Sequence, residues 1–180
     1  MDNRPIGVFD SGLGGLTVVK ALKELLPNES IVYFGDTARL PYGVKSQGLV
    51  KQYSKEIIKF LLEKNAKAVI IACNTATAMA LNSLKNEFKD IPIIGVIDPG
   101  SEKAIFETTT KKIGVIGTIA TISSGAYEKS IQQKNNNVKI ISKACPLFVP
   151  FVEEGSKGFT ITHKEKPLAM CGVTPLDNYM

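Results

Sequence analysis

Cys73 stands at a position where a thiol could transfer protons. It follows the apolar run Ala68–Ala72, which is typical of a buried strand, and it precedes a predicted helix. The amides and the dipole at a helix N-terminus favour a thiolate, so we expect the pKa of Cys73 to lie below its ordinary value of about 8.5. Asn74, Thr75 and Thr77 can cap this helix or hydrogen-bond a substrate. The alternative is a small buried side chain in front of an ordinary threonine cap.

Asp10 and Ser11 form a second polar strand end. They follow the predicted strand Pro5–Phe9 and open a glycine-rich turn that leads into a helix. Such a turn can bind an anion at the helix N-terminus, but the dinucleotide and Walker A patterns require other residues at Thr17 and Val18. A plain turn would account for the glycines and not for the acid and the hydroxyl. A carboxylate beside a cysteine can accept or orient its proton, which favours joint chemistry with the thiol.

Two later strand ends carry turn-forming or hydroxyl residues. Pro41-Tyr42-Gly43 is typical of a turn, and a loop with a tyrosine and exposed amides could close over a ligand. Thr118 and Thr121 follow a predicted strand at the same edge. The alternative for both threonines is helix capping.

These polar strand ends are positioned by alternating strands and helices. Predicted strands are Pro5–Phe9, Ser30–Gly35, Ala68–Ala72, Ile91–Ile97, Lys112–Gly117 and Val138–Lys143. Predicted helices are Leu16–Leu26, Ser46–Lys64, Thr77–Phe88, Pro99–Thr108 and Ser123–Gln133. The fold class is therefore α/β, with parallel sheets covered by helices on both sides. Ligands of such sheets bind at the carboxyl ends of the strands.

A weak repeat of Ile-Gly-Val at Ile6, Ile94 and Ile113 suggests two similar α/β halves with a cleft between them. We expect a first α/β domain over residues 1–97, a partial second α/β domain over 98–155 and an atypical C-terminal tail over 156–180. The last segment has no sustained period and two prolines, and it reads as a tail or a truncated element.

Composition excludes several classes of protein. The 180 residues are 44% hydrophobic and 22% charged, which is globular and excludes a collagen, a coiled coil or a disordered chain. The net charge of +5 comes from scattered lysines without interleaved aromatic residues, so no nucleic-acid partner is expected. No apolar run is long enough for a membrane span and no signal peptide is evident, so a cytoplasmic protein without a membrane partner is expected.

Metal and disulfide chemistry are not supported by the sequence. The three cysteines have no Cys-x-x-Cys spacing, so they are expected to be free thiols. The single histidine, His163, is expected on the surface. Cys145 ends a predicted strand and is expected to pack in a core.

The stretches DSGLGGLT, PYG and ACNTATA, together with VIGTIAT and PLFVPFVEEG, resemble the glutamate racemases, a branch of the cofactor-independent aspartate/glutamate racemase superfamily. The similarity runs from about residue 5 to residue 155. It implies two similar parallel-sheet domains with the active site in the cleft between them. It also implies interconversion of L- and D-glutamate without a cofactor, which supplies D-glutamate for peptidoglycan.

The resemblance assigns a role to each polar strand end. One acid/base must remove the α-proton and another must return a proton on the opposite face, and the family uses two cysteines for this. It implies that Cys73 is one acid/base, that Asp10 handles its proton, and that Glu153 assists on the side of the second cysteine, with Glu154 as the alternative. The implied substrate contacts are Ser11, Pro41, Tyr42, Gly43, Asn74, Thr75, Thr118 and Thr121. A homodimer is possible.

The chain departs from the family where the second cysteine is expected. The family has Gly-Cys-Thr-His well after the VEEG stretch, and this sequence contains no such run. Cys171 lacks the Thr-His pair and follows VEEG closely. The alternative to a racemase is therefore a truncated, non-catalytic homologue without the second catalytic cysteine. A phosphate- or nucleotide-binding regulatory module built on the glycine-rich turn is a third hypothesis.

Overall fold

The structure is a computed structural model that describes residues 2–153, 162–163, 166–167 and 172–175. The chain divides into two compact units, Met1–Val96 and Ile97–Met180.

The first unit is a four-stranded parallel sheet with helices on both faces. Its strands are β1 (Ile6–Asp10), β2 (Ile31–Gly35), β3 (Ala68–Ile71) and β4 (Ile93–Gly95), in the spatial order β2-β1-β3-β4. Its helices are α1 (Leu16–Leu25), α2 (Gln47–Glu63) and α3 (Asn74–Glu87), with a short 3-10 turn at Tyr42–Val44. Every strand pair in this sheet is parallel, as the apolar runs predicted.

The sheet has one hydrophobic core on each face, because successive side chains of a strand point to opposite faces. Ile6 and Val8 of β1 pack on one face with side chains of α1. Phe9 of β1 packs on the other face with Val69 and Ile71 of β3 and with apolar residues of α2 and α3. Since side chains alternate across a strand, a single short run such as β1 supplies both cores. This arrangement confirms the predicted parallel sheet with two helical layers.

The described residues of the second unit contain a three-stranded sheet and a separate two-stranded sheet. Its helices are α4 (Ile97–Glu107), α5 (Ile119–Ser123), α6 (Ala126–Lys134) and α7 (Phe148–Glu153). Its strands are β5 (Lys112–Gly117), β6 (Lys139–Ala144), β7 (Thr162–His163), β8 (Lys166–Pro167) and β9 (Gly172–Pro175). β6 pairs with β5 in parallel, whereas β9, which lies within the predicted tail, pairs with β5 antiparallel.

Several predicted boundaries are corrected by the structure. The helix expected at Ser123–Gln133 is α6, which begins at Ala126 after Gly125, whose φ of 63° is left-handed. The short helix α5 that precedes it was not predicted. The helix α7 was not predicted. Cys145 is only partly buried instead of packing in a core, because it lies beyond the end of β6. None of the helices in the described ranges is long and apolar enough to cross a membrane.

Candidate active site

Three polar side chains follow neighbouring strands at one edge of the first sheet. Asp10 ends β1, Asp36 follows β2 directly, and Cys73 comes two residues after β3. The backbone amide of Asp36 donates to the Asp10 carbonyl at 2.9 Å, which keeps the β1 and β2 ends in register. The backbone amide of Ala72 donates to the Phe9 carbonyl at 2.8 Å and does the same for β1 and β3. Parallel pairing therefore brings together residues that are more than 60 positions apart in sequence.

The thiol of Cys73 is itself the N-terminal cap of α3. Its sulfur accepts a hydrogen bond from the Ala76 amide at 3.4 Å, and its thiol donates to Ser11 Oγ at 3.6 Å. The helix therefore begins at Asn74, three residues before the predicted start, and the expected threonine cap at its N-terminus is replaced by a cysteine. Cys73 is 5% exposed.

The expected depression of the Cys73 pKa is wrong. Burial raises the pKa of the Cys73 thiol from 9.0 to about 12, and the negative charge of Asp10 adds to this rise. The amide of Ala76 and the contacts with Ser11 act in the opposite direction. Burial and a neighbouring carboxylate both penalise the thiolate, and together they outweigh the helix N-terminus.

Asp10 is held by the glycine-rich turn that follows it. Its carboxylate accepts a hydrogen bond from the Gly15 amide at 2.9 Å and is 8% exposed. A Cβ on Gly15 would lie 2.6 Å from the Cβ of Asp10, so only glycine allows this approach. The Tyr33 hydroxyl donates to the Gly12 carbonyl at 2.7 Å and ties the same turn to β2. The sequence predicts a turn at these glycines, and the amide of Gly15 also binds the Asp10 carboxylate.

Tyr42 lies in the predicted Pro41–Gly43 turn and is buried. The peptide bond between Leu40 and Pro41 is cis. The Tyr42 hydroxyl donates to Asp36 Oδ2 at 2.5 Å. Burial raises the pKa of the Tyr42 phenol, and the hydrogen bond to Asp36 raises it further. Gly43 is buried beside it.

Asn74 and Thr75 occupy the first turn of α3, directly after the thiol. Asn74 is half-buried and Thr75 is buried. Thr77 does not cap the helix: its hydroxyl donates to the Ile71 carbonyl at 3.1 Å and accepts from the Val96 amide at 3.4 Å. The last of these threonines therefore ties α3 to β3 and to the residue after β4.

The remaining predicted site residues belong to the second unit. Thr118 caps α5, with its hydroxyl accepting from the Thr121 amide at 3.2 Å and lying 3.0 Å from the Thr121 hydroxyl. Glu153 is the last residue of α7, and its side chain lies outside the described part of the chain. Glu154 and Cys171 also lie outside the described residues. The described residues contain no group of three or more His, Cys, Asp or Glu that could hold a metal ion.

Asp36 and Arg39 were not assigned a role from the sequence. Asp36 accepts from the Tyr42 hydroxyl and from Arg39 Nε, at 2.8 Å for the latter, and it is 4% exposed. The sequence signal that makes Asp10 a candidate also applies to Asp36, because both acids follow predicted strands. Its link to Tyr42 could not be predicted, because the five residues between them form a turn of unpredicted shape.

A buried thiol and a buried carboxylate lie at the carboxyl edge of a parallel sheet in an α/β protein, and both are groups that can carry a proton. A model of the Asp/Glu/Hydantoin racemase family matches residues 6–154. The chain belongs to this family.

The sequence similarity to relatives in the family covers most of this chain and only part of the length of each relative. The chain is 54% identical over 150 residues to a glutamate racemase of Aquifex aeolicus, covering 83% of this chain and 58% of the relative. It is 54% identical over 153 residues to one from Lactococcus lactis, covering 85% and 56%. A crystal structure of Francisella tularensis glutamate racemase in complex with D-glutamate has a TM-score of 0.80 and 48% identity, covering 91% of this chain and 60% of that one. The chain thus spans less than two thirds of these proteins.

Proposed function

We propose that this chain acts in the cofactor-independent racemisation of glutamate, with Cys73 as the acid/base on one face of the substrate α-carbon. The observation that carries the proposal is the buried Cys73 thiol, hydrogen-bonded to Ser11 and placed beside Asp10 at a sheet edge. The glutamate racemases named above support glutamate as the substrate. The D-glutamate formed is proposed to serve peptidoglycan synthesis. Glu153 is proposed to assist a second acid/base on the opposite face.

The thiol suits an α-proton that is very weakly acidic. A group with a pKa of about 12 is a stronger base, once deprotonated, than an ordinary thiolate. The cost is that little thiolate exists near neutral pH. A bound substrate ammonium would offset this cost, because a positive charge near the sulfur favours the thiolate. Asp10 offers a negative partner for the same ammonium and can take part in delivering the thiol proton.

The other residues of the site are proposed to bind and orient glutamate. Ser11 contacts the thiol and can hydrogen-bond the substrate amino or carboxylate group. Asn74 and Thr75 present a side-chain amide and a hydroxyl at the start of α3. The Pro41–Gly43 turn adds backbone and side-chain contacts. Thr118 and Thr121 are proposed substrate contacts from the second unit. Catalysis then depends on positioning and on hydrogen bonds aimed at the charge that develops during proton removal.

Exchange of the substrate α-proton tests the role of Cys73 directly. Purified protein is incubated with L-glutamate, and separately with D-glutamate, in deuterated buffer, and the loss of the α-proton signal is followed by NMR. Chiral chromatography of the same samples measures inversion. We expect exchange with inversion, and a decrease of roughly 10²–10⁴-fold in the Cys73→Ala variant, the range typical of a lost general base. Cys145→Ala is the matched control, since it removes a thiol that is only partly buried and lies in the second unit.

Two results would contradict the proposal. Absence of any exchange above the Cys73→Ala background would reject Cys73 as an acid/base. Exchange with full retention of configuration would keep the role of Cys73 and reject racemisation by this chain, because a single base removes and returns the proton on one face.

A further inference from the structure

The buried carboxylate of Asp36 is the centre of a polar chain that the proposed function does not use. Its Oδ2 atom accepts hydrogen bonds from the Tyr42 hydroxyl at 2.5 Å and from Arg39 Nε at 2.8 Å. Asp36 is 4% exposed, and a carboxylate at such a depth needs a charged partner and hydrogen bonds. Arg39 supplies the charge, and Tyr42 supplies a neutral donor.

Arg39 is held in place from three directions. One of its terminal nitrogens donates to Glu56 Oε2 of α2 at 2.5 Å. Its guanidinium lies 4.1 Å from the centre of the Tyr53 ring, also on α2. Its own backbone amide donates to the Asp36 carbonyl at 3.1 Å. The Asp36 carboxylate is thereby connected to the long helix α2, which is anchored in the core by its buried apolar side chains.

The other end of the polar chain reaches the neighbourhood of the thiol. Tyr42 is 1% exposed and belongs to the same buried cluster as Cys73. Its ring lies 5.8 Å from the ring of Tyr53, centre to centre, and the 3-10 turn contacts α3. Burial and Asp36 both raise the pKa of the Tyr42 phenol, which favours the protonated hydroxyl that donates to Asp36.

We propose that Asp36 is a positioning residue: through the Tyr42 hydroxyl it holds the Pro41–Gly43 turn in place beside Cys73. The inference rests on the proposed function for its effect on catalysis. Its structural half, the coupling of Asp36 to the turn, stands on the hydrogen bonds alone. Asp36 is not a catalytic residue in this proposal, since its carboxylate is occupied by Arg39 and Tyr42.

The Asp36→Asn substitution removes the charge with little change of shape. If the amide oxygen takes the position of Oδ2, the amide nitrogen replaces Oδ1, which lies 3.1 Å from Arg39 Nε. Two donors then face each other, and the arginine loses its ionic partner. Tyr42→Phe removes only the hydroxyl and leaves the ring contacts with Tyr53. Asp36→Asn therefore removes the charge of the acceptor in the Tyr42–Asp36 hydrogen bond, and Tyr42→Phe removes its donor.

Hydrogen exchange measured by mass spectrometry tests the structural half. Wild type, Asp36→Asn, Tyr42→Phe and the double variant are compared over a peptide that contains residues 41–45. We expect Tyr42→Phe to accelerate exchange of this peptide by about tenfold or more, the size expected for losing a hydrogen bond to a charged group, and Asp36→Asn to accelerate it by a smaller factor. The double variant should accelerate it no further than Tyr42→Phe does. Asp98→Asn is the control, because it removes a carboxylate that accepts from the Ser130 hydroxyl at 2.6 Å in the second unit.

Two further measurements relate the turn to the thiol. The rate of Cys73 alkylation by iodoacetamide should rise in both single variants, since the turn no longer shields the sulfur. The kcat/KM of glutamate α-proton exchange should fall by about tenfold in Tyr42→Phe, by a smaller factor in Asp36→Asn, and no further in the double variant than in Tyr42→Phe, as expected for two residues that act as one unit. Alkylation and hydrogen exchange do not depend on turnover, so they judge the positioning role even if wild type shows no Cys73-dependent exchange of glutamate.

The inference is overturned by any of three results. Unchanged exchange of the 41–45 peptide in both single variants would show that Asp36 does not hold the turn in place. Additive effects in the double variant would make the two residues independent. A uniform acceleration over all peptides would reduce Asp36 to a stability role. Should Asp36→Asn fail to fold, Tyr42→Phe alone carries the test, because it preserves every charge.

Discussion

Raising the pH should destabilise the fold through Cys73 in particular. The folded state holds the thiol proton more tightly than the unfolded chain, because burial and Asp10 raise the pKa from 9.0 to about 12. Between these two values the folded protein binds more protons than the unfolded one, so the free energy of unfolding falls as pH rises. This contribution is fully present below pH 9 and is lost as pH approaches 12.

The size of the effect follows from the width of the pKa interval. One pKa unit corresponds to about 1.4 kcal/mol, so at pH 11 about two of the three units have been lost, or about 3 kcal/mol. This is a large share of the 5–15 kcal/mol that is typical of a domain. The Cys73→Ala variant lacks the thiol and should lose none of this amount between pH 8 and pH 11. The free energy of unfolding of Cys73→Ala should be lower than that of wild type at pH 8 and should approach or exceed it at pH 11.

Urea unfolding followed by circular dichroism at pH 8, 9, 10 and 11 measures this difference. The quantity of interest is the free energy of unfolding of wild type minus that of Cys73→Ala, because the titrations common to both proteins cancel. Cys145→Ala serves as the control and should run parallel to wild type. Parallel curves for wild type and Cys73→Ala would refute the argument that the thiol is buried and protonated in the fold.

Three further predictions concern the packing and the charges of the first unit. Gly95→Ala should destabilise the first unit by about 1–3 kcal/mol in urea unfolding, because its Cβ would overlap the Thr77 side chain. Gly48→Ala, where a Cβ meets nothing within 4 Å on a helix, should instead stabilise by up to about 1 kcal/mol, and a loss of stability there would contradict the packing argument. Asp10→Asn should lower the pKa of Cys73, since it removes a negative charge near the sulfur, and the rate of thiol alkylation at pH 8 should rise. An unchanged alkylation rate would show that Asp10 does not act on the thiol.

The architecture of the first sheet was predictable because its periodicity is strong. Short β-branched runs separated by long amphipathic stretches predicted parallel strands, and four of them form the first sheet. The predicted helix Ser46–Lys64 differs from α2 by one residue at each end, because Ser46 is a true cap that accepts from the Leu49 amide. Side-chain capping of this kind is a local property that a sequence displays directly.

The predicted start of α3 is wrong because an unusual residue, a cysteine, caps this helix. The apolar pattern placed the start of α3 at Thr77, with Asn74, Thr75 and Thr77 as candidate caps, whereas the sulfur of Cys73 caps the helix. A thiol is a weak acceptor, and it caps here only because the strand end and the helix leave it next to the Ala76 amide. Propensity alone therefore favours the wrong residue.

The polar chain from Tyr42 to Glu56 was beyond local reasoning. Its members lie in a turn, at a strand end and on α2, so their contacts depend on how the turn folds back. The sequence places Asp36 at a strand end. Its role depends on its hydrogen bonds to Arg39 and Tyr42, which form only in the tertiary structure.

The sequence by itself determined that Asp10, Ser11 and Cys73 share one sheet edge, because parallel strands of predictable position align their carboxyl ends. It also determined the family, through stretches of residues that occur in a specific order. Only the tertiary structure decided the direction of the Cys73 pKa shift. The helix N-terminus is a local feature and favours the thiolate, whereas burial and the charge of Asp10 are properties of the packed molecule and favour the thiol. The balance between them depends on distances and solvent exclusion, which arise only when distant segments pack together.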